Sequence, residues 1–444
     1  MNIIETPYGS FPENYQLDRL EDLCVKKIGI QTGPFGSQLH NSDYVPIGTP
    51  ILTVEHLGEN RILHEDIPRV TDRDRQRLSR YSIKKGDIIF SRVGSVDRRA
   101  LVREGEEGWL FSGRCLRVRP DPDKLDPIFL SYIMGLPSFK EYIRKIAVGA
   151  TMPSINTEIL SDIPICYPPL PTQHAIARIL GSLDDKIEIN RQMNETLEAM
   201  ARTIFQSWFV DFDPVRAKAE GRQPAEMDAA TAALFPDAFE EVDAREVPMG
   251  WGVASLPDVF DINPTRSLAK GQVAPYLDMQ NVPTQGHRPS NWIQREFGSG
   301  TKFINGDTLL ARITPCLENG KTIFVDFLND DEIGWGSTEY IVLRPKSPLP
   351  PEFGYLLARD EDFRAHAILN MSGSSGRQRV PSKCFDSYQI VVPSHPIAEK
   401  FGELIKPLMT MIKKNDEQSR TLAHIRDALL PKLMSGELHI QNVT

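Results

Sequence analysis

Gly86-Asp87-Ile88-Ile89-Phe90-Ser91-Arg92 recurs 220 residues later as Gly306-Asp307-Thr308-Leu309-Leu310-Ala311-Arg312. In each copy a Gly-Asp turn feeds a run of apolar residues, which reads as a turn entering a strand. Further out, Leu116-Arg117-Val118-Arg119-Pro120 recurs after 225 residues as Ile341-Val342-Leu343-Arg344-Pro345. Pro171 to Asn190 maps onto Pro396 to Asn415 at the same offset. The order is preserved and the offset drifts by only a few residues. The chain is therefore two similar modules, each followed by the same kind of helix. Such a chain can form a pseudo-dimer suited to a target that also has two halves.

Each module mixes short strand-like runs with helical stretches, Leu125 to Ile146 in the first and Glu352 to Leu369 in the second. The fold class is α+β, without the alternation that builds a parallel sheet. Prolines mark the end of each module: Pro164, Pro168, Pro169 and Pro171, then Pro393 and Pro396. Beyond each lies a long helix. In the first, Ile176, Leu180, Leu183, Ile187, Asn190, Asn194, Leu197, Ala201, Ile204 and Trp208 fall at alternating steps of four and three. In the second, Phe401, Ile405, Leu408, Ile412, Asn415, Ser419, Leu422, Arg426, Leu429 and Leu433 repeat that frame. A 3.5-residue period is a coiled-coil seam, so the two helices are expected to pack on each other. In an antiparallel pair the polar middle of each seam meets that of the other, which brings Asn190 and Asn194 near Ser419 and Asn415. Pro407 lies inside the second helix and is expected to kink or restart it.

The expected organisation is a globular domain over 1–170, a spacer helix over 171–209, an acidic connector over 210–249, a second globular domain over 250–395 and a second spacer helix over 396–438. Charge is segregated along the chain. Residues 61–119 hold 15 Lys and Arg against 9 Asp and Glu, whereas 210–246 hold 4 against 10, within a net charge of −9. A partly helical surface connector fits the acidic stretch.

With 444 residues, 40% hydrophobic and 25% charged, the chain reads as an ordinary globular protein of two or three domains. The first 20 residues have neither the apolar run nor the basic start of a signal peptide. No stretch is apolar for long enough to span a bilayer. Five scattered cysteines without a CxxC fit a cytoplasmic location and give no thiolate metal site. The phosphate-binding G-x-x-x-x-G-K-[ST] loop, H-E-x-x-H, G-x-S-x-G and an Asn/Asp-Pro-Pro-aromatic methyltransferase motif are all missing. The nine histidines stand apart from one another. No catalytic residue, cofactor or metal is therefore expected.

Two loop elements carry a possible chemistry. Gly33-Pro34-Phe35-Gly36-Ser37-Gln38 combines permissive glycines with small donors, whose backbone N–H groups can approach a phosphate; a tight structural turn is the alternative. Gly149-Ala150-Thr151-Met152-Pro153-Ser154 precedes the first proline boundary, and Ser372-Gly373-Ser374-Ser375-Gly376-Arg377-Gln378-Arg379 occupies that site in the second module. A polar glycine-rich loop with two arginines can face DNA. The candidate DNA contacts are Gly36, Ser37, Arg92 and Thr151 in the first module and Arg312, Ser374, Arg377 and Arg379 in the second. For each arginine a surface salt bridge is the competing reading.

These motifs resemble the specificity subunits of type I restriction-modification enzymes. The matching residues are Gly33-Pro34-Phe35-Gly36-Ser37, Gly86-Asp87-Ile88-Ile89, Gly149-Ala150-Thr151-Met152-Pro153 and the helix Gln173 to Ile187. Ser207-Trp208-Phe209-Val210-Asp211-Phe212-Asp213-Pro214-Val215-Arg216 and Leu429 to Leu438 extend the likeness over nearly the whole chain. The resemblance implies two target-recognition domains, each reading half of a bipartite site in double-stranded DNA through the major groove. They would be held apart by two antiparallel helices acting as a spacer. It also implies two methylation subunits and two restriction subunits as partners, and no catalytic residue in this chain. The first helix, from Pro171 to Phe209, would run about 55 Å at ~1.5 Å per residue, against about 34 Å for one DNA turn. The second module departs from the pattern: Asn263-Pro264-Thr265-Arg266 stands where the Gly-Pro-Phe-Gly-Ser loop would be. The alternatives are an unrecognised methyltransferase or nuclease fragment, which would bind S-adenosylmethionine, and a coiled-coil adaptor without a DNA role. The cluster Arg73, Arg75, Arg77 and Arg80 argues against the adaptor.

Overall fold

A computed structural model of the chain describes residues 3–34, 38–149, 151–242, 244–374 and 376–438. The chain divides into two compact units, Met1–Ile187 with Arg420–Thr444, and Glu188–Ser419.

In the first unit the Gly-Asp turn is a buried ionic joint. Gly86 sits at φ +88°, which an L side chain rarely adopts, and a Cβ there would lie 3.2 Å from the Pro127 ring. The Asp87 carboxylate accepts the Lys84 N–H at 2.8 Å and both Nε and Nη2 of Arg119 at 2.6 Å. The strand Ile88–Ser91 that follows is buried along its length. It lies inside a four-stranded antiparallel sheet ordered Ile30–Thr32, Cys115–Val118, Ile88–Ser91, Arg99–Leu101. Successive side chains point to opposite faces. Ile88 and Phe90 join a core with Phe129, Ile133, Phe139 and Ile143 of the helices Pro127–Ile133 and Pro137–Ile146. Ile89 joins a second core with Leu52 and Phe111 of a mixed sheet. That sheet holds one parallel pair, Thr49–Leu52 with Leu110–Phe111.

The second unit repeats this construction. Gly306 also has φ +88°. The buried Asp307 accepts the Ile304 N–H at 2.8 Å, Arg266 Nη2 at 2.7 Å and Arg344 Nη1 at 2.8 Å. Its antiparallel sheet runs Phe260–Ile262, Tyr340–Pro345, Thr308–Ala311, Thr322–Phe324, and its mixed sheet again has one parallel pair, Val273–Leu277 with Gly334–Gly336. Arg344 stands where Arg119 stands. The residues that recur along the sequence are thus largely scaffold: a buried carboxylate, its arginine and the strand between them.

Two smaller elements also recur. Gln16–Arg19 pairs with Pro164–Tyr167, and Gly252–Ser255 with Gln389–Val392. The hairpin of Ile3–Thr6 and Gly9–Pro12 has a counterpart in Phe239–Val242 and Arg245–Pro248. The second hairpin lies within the stretch expected to be an acidic connector. Its acids Glu240, Glu241 and Glu246 are exposed, so composition there registered a solvated face and missed the strands. The rest of the connector holds two short helices, Asp213–Ala219 and Ala229–Leu234.

The two long helices are Leu170–Phe209 and His395–Met434, 40 residues each. None of the seam positions named above is exposed. In the second unit their segments run antiparallel, with Asn190 against Asn415 and Ser419, and Phe209 against Phe401 at a ring distance of 4.7 Å. In the first unit Asp184 accepts from Arg426 at 2.7 Å, while Ile176 and Leu180 share a core with Leu430, Leu433 and Met434. Of the two outcomes expected at Pro407, a restart does not occur: the second helix runs unbroken from His395 to Met434. Pro407 is exposed, so its lost hydrogen bond falls on the solvent side, while Ile405, Met409 and Ile412 hold the buried side. At the end of the first helix Trp208, Phe209 and Phe212 sink into an aromatic cluster with Phe235, Trp251 and Phe353. Phe212 turns the chain at φ +55°, and the next helix starts with Pro214 in its first turn. Among the described residues, no helix is long and apolar enough to cross a membrane.

Candidate nucleic-acid interface

In each unit the buried Gly-Asp strand ends in an arginine, and the strand end is where the glycine-rich loop docks. In the first unit the Arg92 N–H donates to Arg114 O and Arg92 O accepts the Ile155 N–H, both at 2.9 Å. Gly94 N–H donates to Pro153 O at 2.8 Å, and Val148 and Ser154 exchange both backbone bonds at 2.8–2.9 Å. The second unit makes the same bonds with other residues. Arg312 N–H donates to Glu339 O, Arg312 O accepts from Val380, Thr314 N–H donates to Gln378 O, and Ser372 and Arg379 exchange both bonds. A short hairpin, 148–154 or 372–379, is thereby laid against each strand end. The structure brings Arg92 together with the loop of Thr151, and Arg312 together with the loop of Ser374, Arg377 and Arg379. Thr151, Ser374 and Arg377 are exposed.

The side chains differ between the units. Arg92 is half-buried and turns back on its own unit, donating Nη1 to Gly113 O at 3.1 Å and to Thr32 Oγ1 at 3.4 Å. Arg312 is half-buried too, and its Nε is buried without a partner among the described residues. Arg379 is held by Glu339, with Nε at 2.9 and 3.0 Å from the carboxylate oxygens and Nη2 at 2.7 Å, while Nη1 donates to Arg377 O at 3.3 Å. The carboxylate raises the Arg379 guanidinium above its ordinary value.

Gly36 and Ser37 lie outside the described residues. Gly33, at the start of that loop, is required by packing: a Cβ there would meet Ser112 O at 2.1 Å. Gln38, the last residue of the stretch, receives Arg77 Nη1 on its carbonyl at 2.7 Å, and Arg80 Nη2 and Tyr81 OH on its side-chain oxygen at 3.3 and 2.9 Å. Two members of the arginine cluster, Arg77 and Arg80, thus hold Gln38, and all four arginines of the cluster are exposed. In the second unit Arg266 is turned inward onto Asp307 and is almost fully buried.

Arg114 and Glu339 were not singled out by sequence reasoning. They sit 225 residues apart, the offset of the surrounding repeat, but a charged residue in a turn carries no local signal. Only the shared backbone bond to Arg92 or Arg312 shows them to be equivalent. Arg114 is exposed, and its guanidinium has no hydrogen-bond or ion-pair partner among the described residues.

Asn190, Asn194, Asn415 and Ser419 are brought together in the second unit. Asn190 is fully buried. Its Nδ2 lies 3.2 Å from Asn415 O, 2.9 Å from Gln418 Oε1 and 3.1 Å from Ser419 Oγ. Asn415 Nδ2 donates to Asn194 Oδ1 at 2.9 Å. Asn190 Oδ1 is buried without a partner among the described residues, so the layer satisfies its amides only in part.

A polar cluster also joins helix and globular parts within the second unit. Glu198 accepts from Tyr355 OH at 2.6 Å. His287, fully buried, lies 3.9 Å from Glu198 and 3.4 Å from Asp326. Burial pulls the His287 imidazole down, but Asp326 and Glu198 outweigh it and hold it above its ordinary value. No group of three or more histidine, cysteine or acidic side chains that could hold a metal occurs among the described residues.

Comparison with known proteins gives a consistent picture. A family model described as the type I restriction modification DNA specificity domain matches residues 12–199. The type I restriction enzyme HindI specificity subunit of Haemophilus influenzae is 28% identical, over 85% of this chain and 92% of that protein. The MjaIX specificity subunit of Methanocaldococcus jannaschii is 23% identical, over 99% and 97%. A crystal structure of the S subunit of a type I restriction-modification system from M. genitalium superposes with a TM-score of 0.56 at 16% identity, covering 99% of this chain and all of that one. At that identity the likeness is one of fold.

Proposed function

The chain belongs to the specificity-subunit family of type I restriction-modification enzymes, and from that premise we propose how its two modules divide the work. The chain is the DNA-sequence-recognition subunit of such a complex and not itself an enzyme. Each module reads one half of a bipartite site in double-stranded DNA, and together they direct two methylation subunits and two restriction subunits, in the cytoplasm and with no cofactor of their own. The observation that carries this reading is the repeated strand end: in both modules the same backbone bonds dock a polar hairpin against a strand that runs into an arginine, Arg92 or Arg312. Arg92, Thr151, Gly36 and Ser37 serve the first half-site, and Arg312, Ser374, Arg377 and Arg379 the second. Arg92 and Arg312 keep the same sign in both modules, which suits the phosphate backbone that both half-sites share.

The long helices set the number of unspecified base pairs between the half-sites. Each spans about 60 Å at ~1.5 Å per residue, longer than the ~34 Å of one DNA turn. The polar layer around Asn190 and Asn415 holds their register. The test is reconstitution. The purified chain, alone, transfers no methyl group to DNA and binds no S-adenosylmethionine. The chain with its methylation subunits modifies one bipartite sequence. Methyl transfer by the chain alone, or modification by the methylation subunits without it at the same sites, overturns the reading.

A further inference from the structure

The strand ends hold an asymmetry that the repeat itself makes interpretable. Arg114 and Glu339 occupy the same backbone position: each carbonyl accepts the N–H of the arginine that ends the Gly-Asp strand. Ser154 and Arg379 are likewise equivalent, since each bridges the strand end and the far side of its hairpin. The first module therefore has Arg114 with Ser154, and the second has Glu339 with Arg379.

A side chain whose task is to hold phosphate must be cationic or a neutral donor in both modules, because both half-sites present the same polyanion. A glutamate at such a place would be repelled. A position that changes sign between equivalent sites is therefore no shared phosphate contact. Base edges impose no such rule, because each base pair shows its own donors and acceptors in the major groove, and arginine pairs with guanine O6 and N7. The second module restores the cation one strand over. Glu339 binds Arg379 through Nε and Nη2, and Nη1 gives one N–H to Arg377 O at 3.3 Å, which leaves one N–H on each of Nη1 and Nη2 along the edge away from the carboxylate. A guanidinium fixed along one edge is oriented to donate along the other.

Resting on the two-module reading above, we propose that Arg114 and Arg379 are the base-reading arginines of the first and second half-sites, each recognising a guanine, with Glu339 the positioning residue for Arg379. In the first module the reader projects from the turn before Cys115–Val118. In the second it projects from the docked hairpin. The two modules therefore present the same chemistry from different points of one scaffold, which lets a duplicated fold read two different sequences.

The experiment uses the full chain with its methylation subunits and maps methylated sites genome-wide for the wild type, Arg114→Ala, Arg114→Lys, Glu339→Gln and Glu339→Asp. Thermal unfolding checks that each variant is folded. Arg114→Ala is expected to relax the preference for one guanine, in one half-site only, by roughly 10- to 100-fold, and Arg114→Lys to restore it only in part. Glu339→Gln is expected to relax one guanine in the other half-site, with Glu339→Asp recovering part of the preference. Two results overturn the proposal: unchanged base preferences in folded Arg114→Ala, and a uniform weakening at every site that follows salt, which would make Arg114 a phosphate contact. If the wild type specifies no bipartite sequence, the two-module reading itself fails, a result distinct from either of these.

Discussion

Replacing Asp87 with alanine separates scaffold from recognition. Asp87 is 1% exposed and holds three groups: the Lys84 N–H, Arg119 at 2.6 Å through two nitrogens, and, at 4.0 Å, Arg117 Nε. Burial pulls the Arg117 guanidinium down to about 10, the charge of Arg119 adds to this, and Asp87 opposes both. Without Asp87, two neighbouring arginines face each other in a poorly solvated place. Breaking a buried pair from one side costs about 3–5 kcal/mol. For a unit of roughly 200 residues, at about 2–4 °C per kcal/mol, Tm of the first unit falls by about 6–20 °C. Asp87→Asn, which keeps an acceptor for Lys84, falls less. The assay is hydrogen exchange with calorimetry on the full chain: protection drops at Ile88–Ser91 and Cys115–Val118 but not at Thr308–Ala311 and Tyr340–Pro345. Asp307→Ala gives the mirror result. Equal loss of protection in both modules, or an unchanged melting curve, refutes the claim that each Gly-Asp turn anchors its own unit.

Inserting four residues after Asn190, about one helical turn or ~6 Å, is expected to lengthen the preferred DNA spacer by one or two base pairs with both half-sites unchanged, as read by methylome sequencing; full activity at the original spacing would show that the helices do not set the distance. Residues 1–209 alone are expected to dimerise and, with the methylation subunits, to modify a symmetric site built from two copies of one half-site; retention of the original asymmetric site counts against the repeat argument. The His287 imidazole, raised by Asp326 and Glu198, contributes stability that is fully present below its unfolded value of about 6.5 and is lost as pH rises through its folded value. The Tm difference between wild type and His287→Gln is therefore expected to be larger at pH 6 than at pH 9, and a difference independent of pH contradicts a protonated His287.

The parts of this fold that could be read from sequence are those whose spacing is itself the physics. The seam from Ile176 to Trp208 and its copy from Phe401 to Leu433 were legible because one helix face must be buried, and no position in either is exposed. The Gly-Asp and Arg-Pro repeats were legible as repeats, but their role was not, since a buried ion pair joins Asp87 to Arg119 across 32 residues. Gly33 left a phosphate-approaching loop and a tight structural turn both open; the close approach of Ser112 O, contributed by a distant turn, requires glycine there and could not be read from the sequence. Arg379 was visible as a loop cation, whereas Glu339, which holds it, lies 40 residues away. Arg114 carried no signal until the strand register set it beside Arg92. The hairpin of Phe239–Val242 and Arg245–Pro248 was hidden by its charged outer face.

On the reading proposed above, two equivalent modules read two halves of one site. Single-molecule methylome sequencing of cells that express this chain with its methylation subunits, compared with cells lacking only this chain, tests it most directly. One new methylated motif is expected, composed of two different specified half-sites separated by a fixed run of unspecified base pairs. A contiguous motif, a variable gap, or no motif that depends on the chain would contradict it.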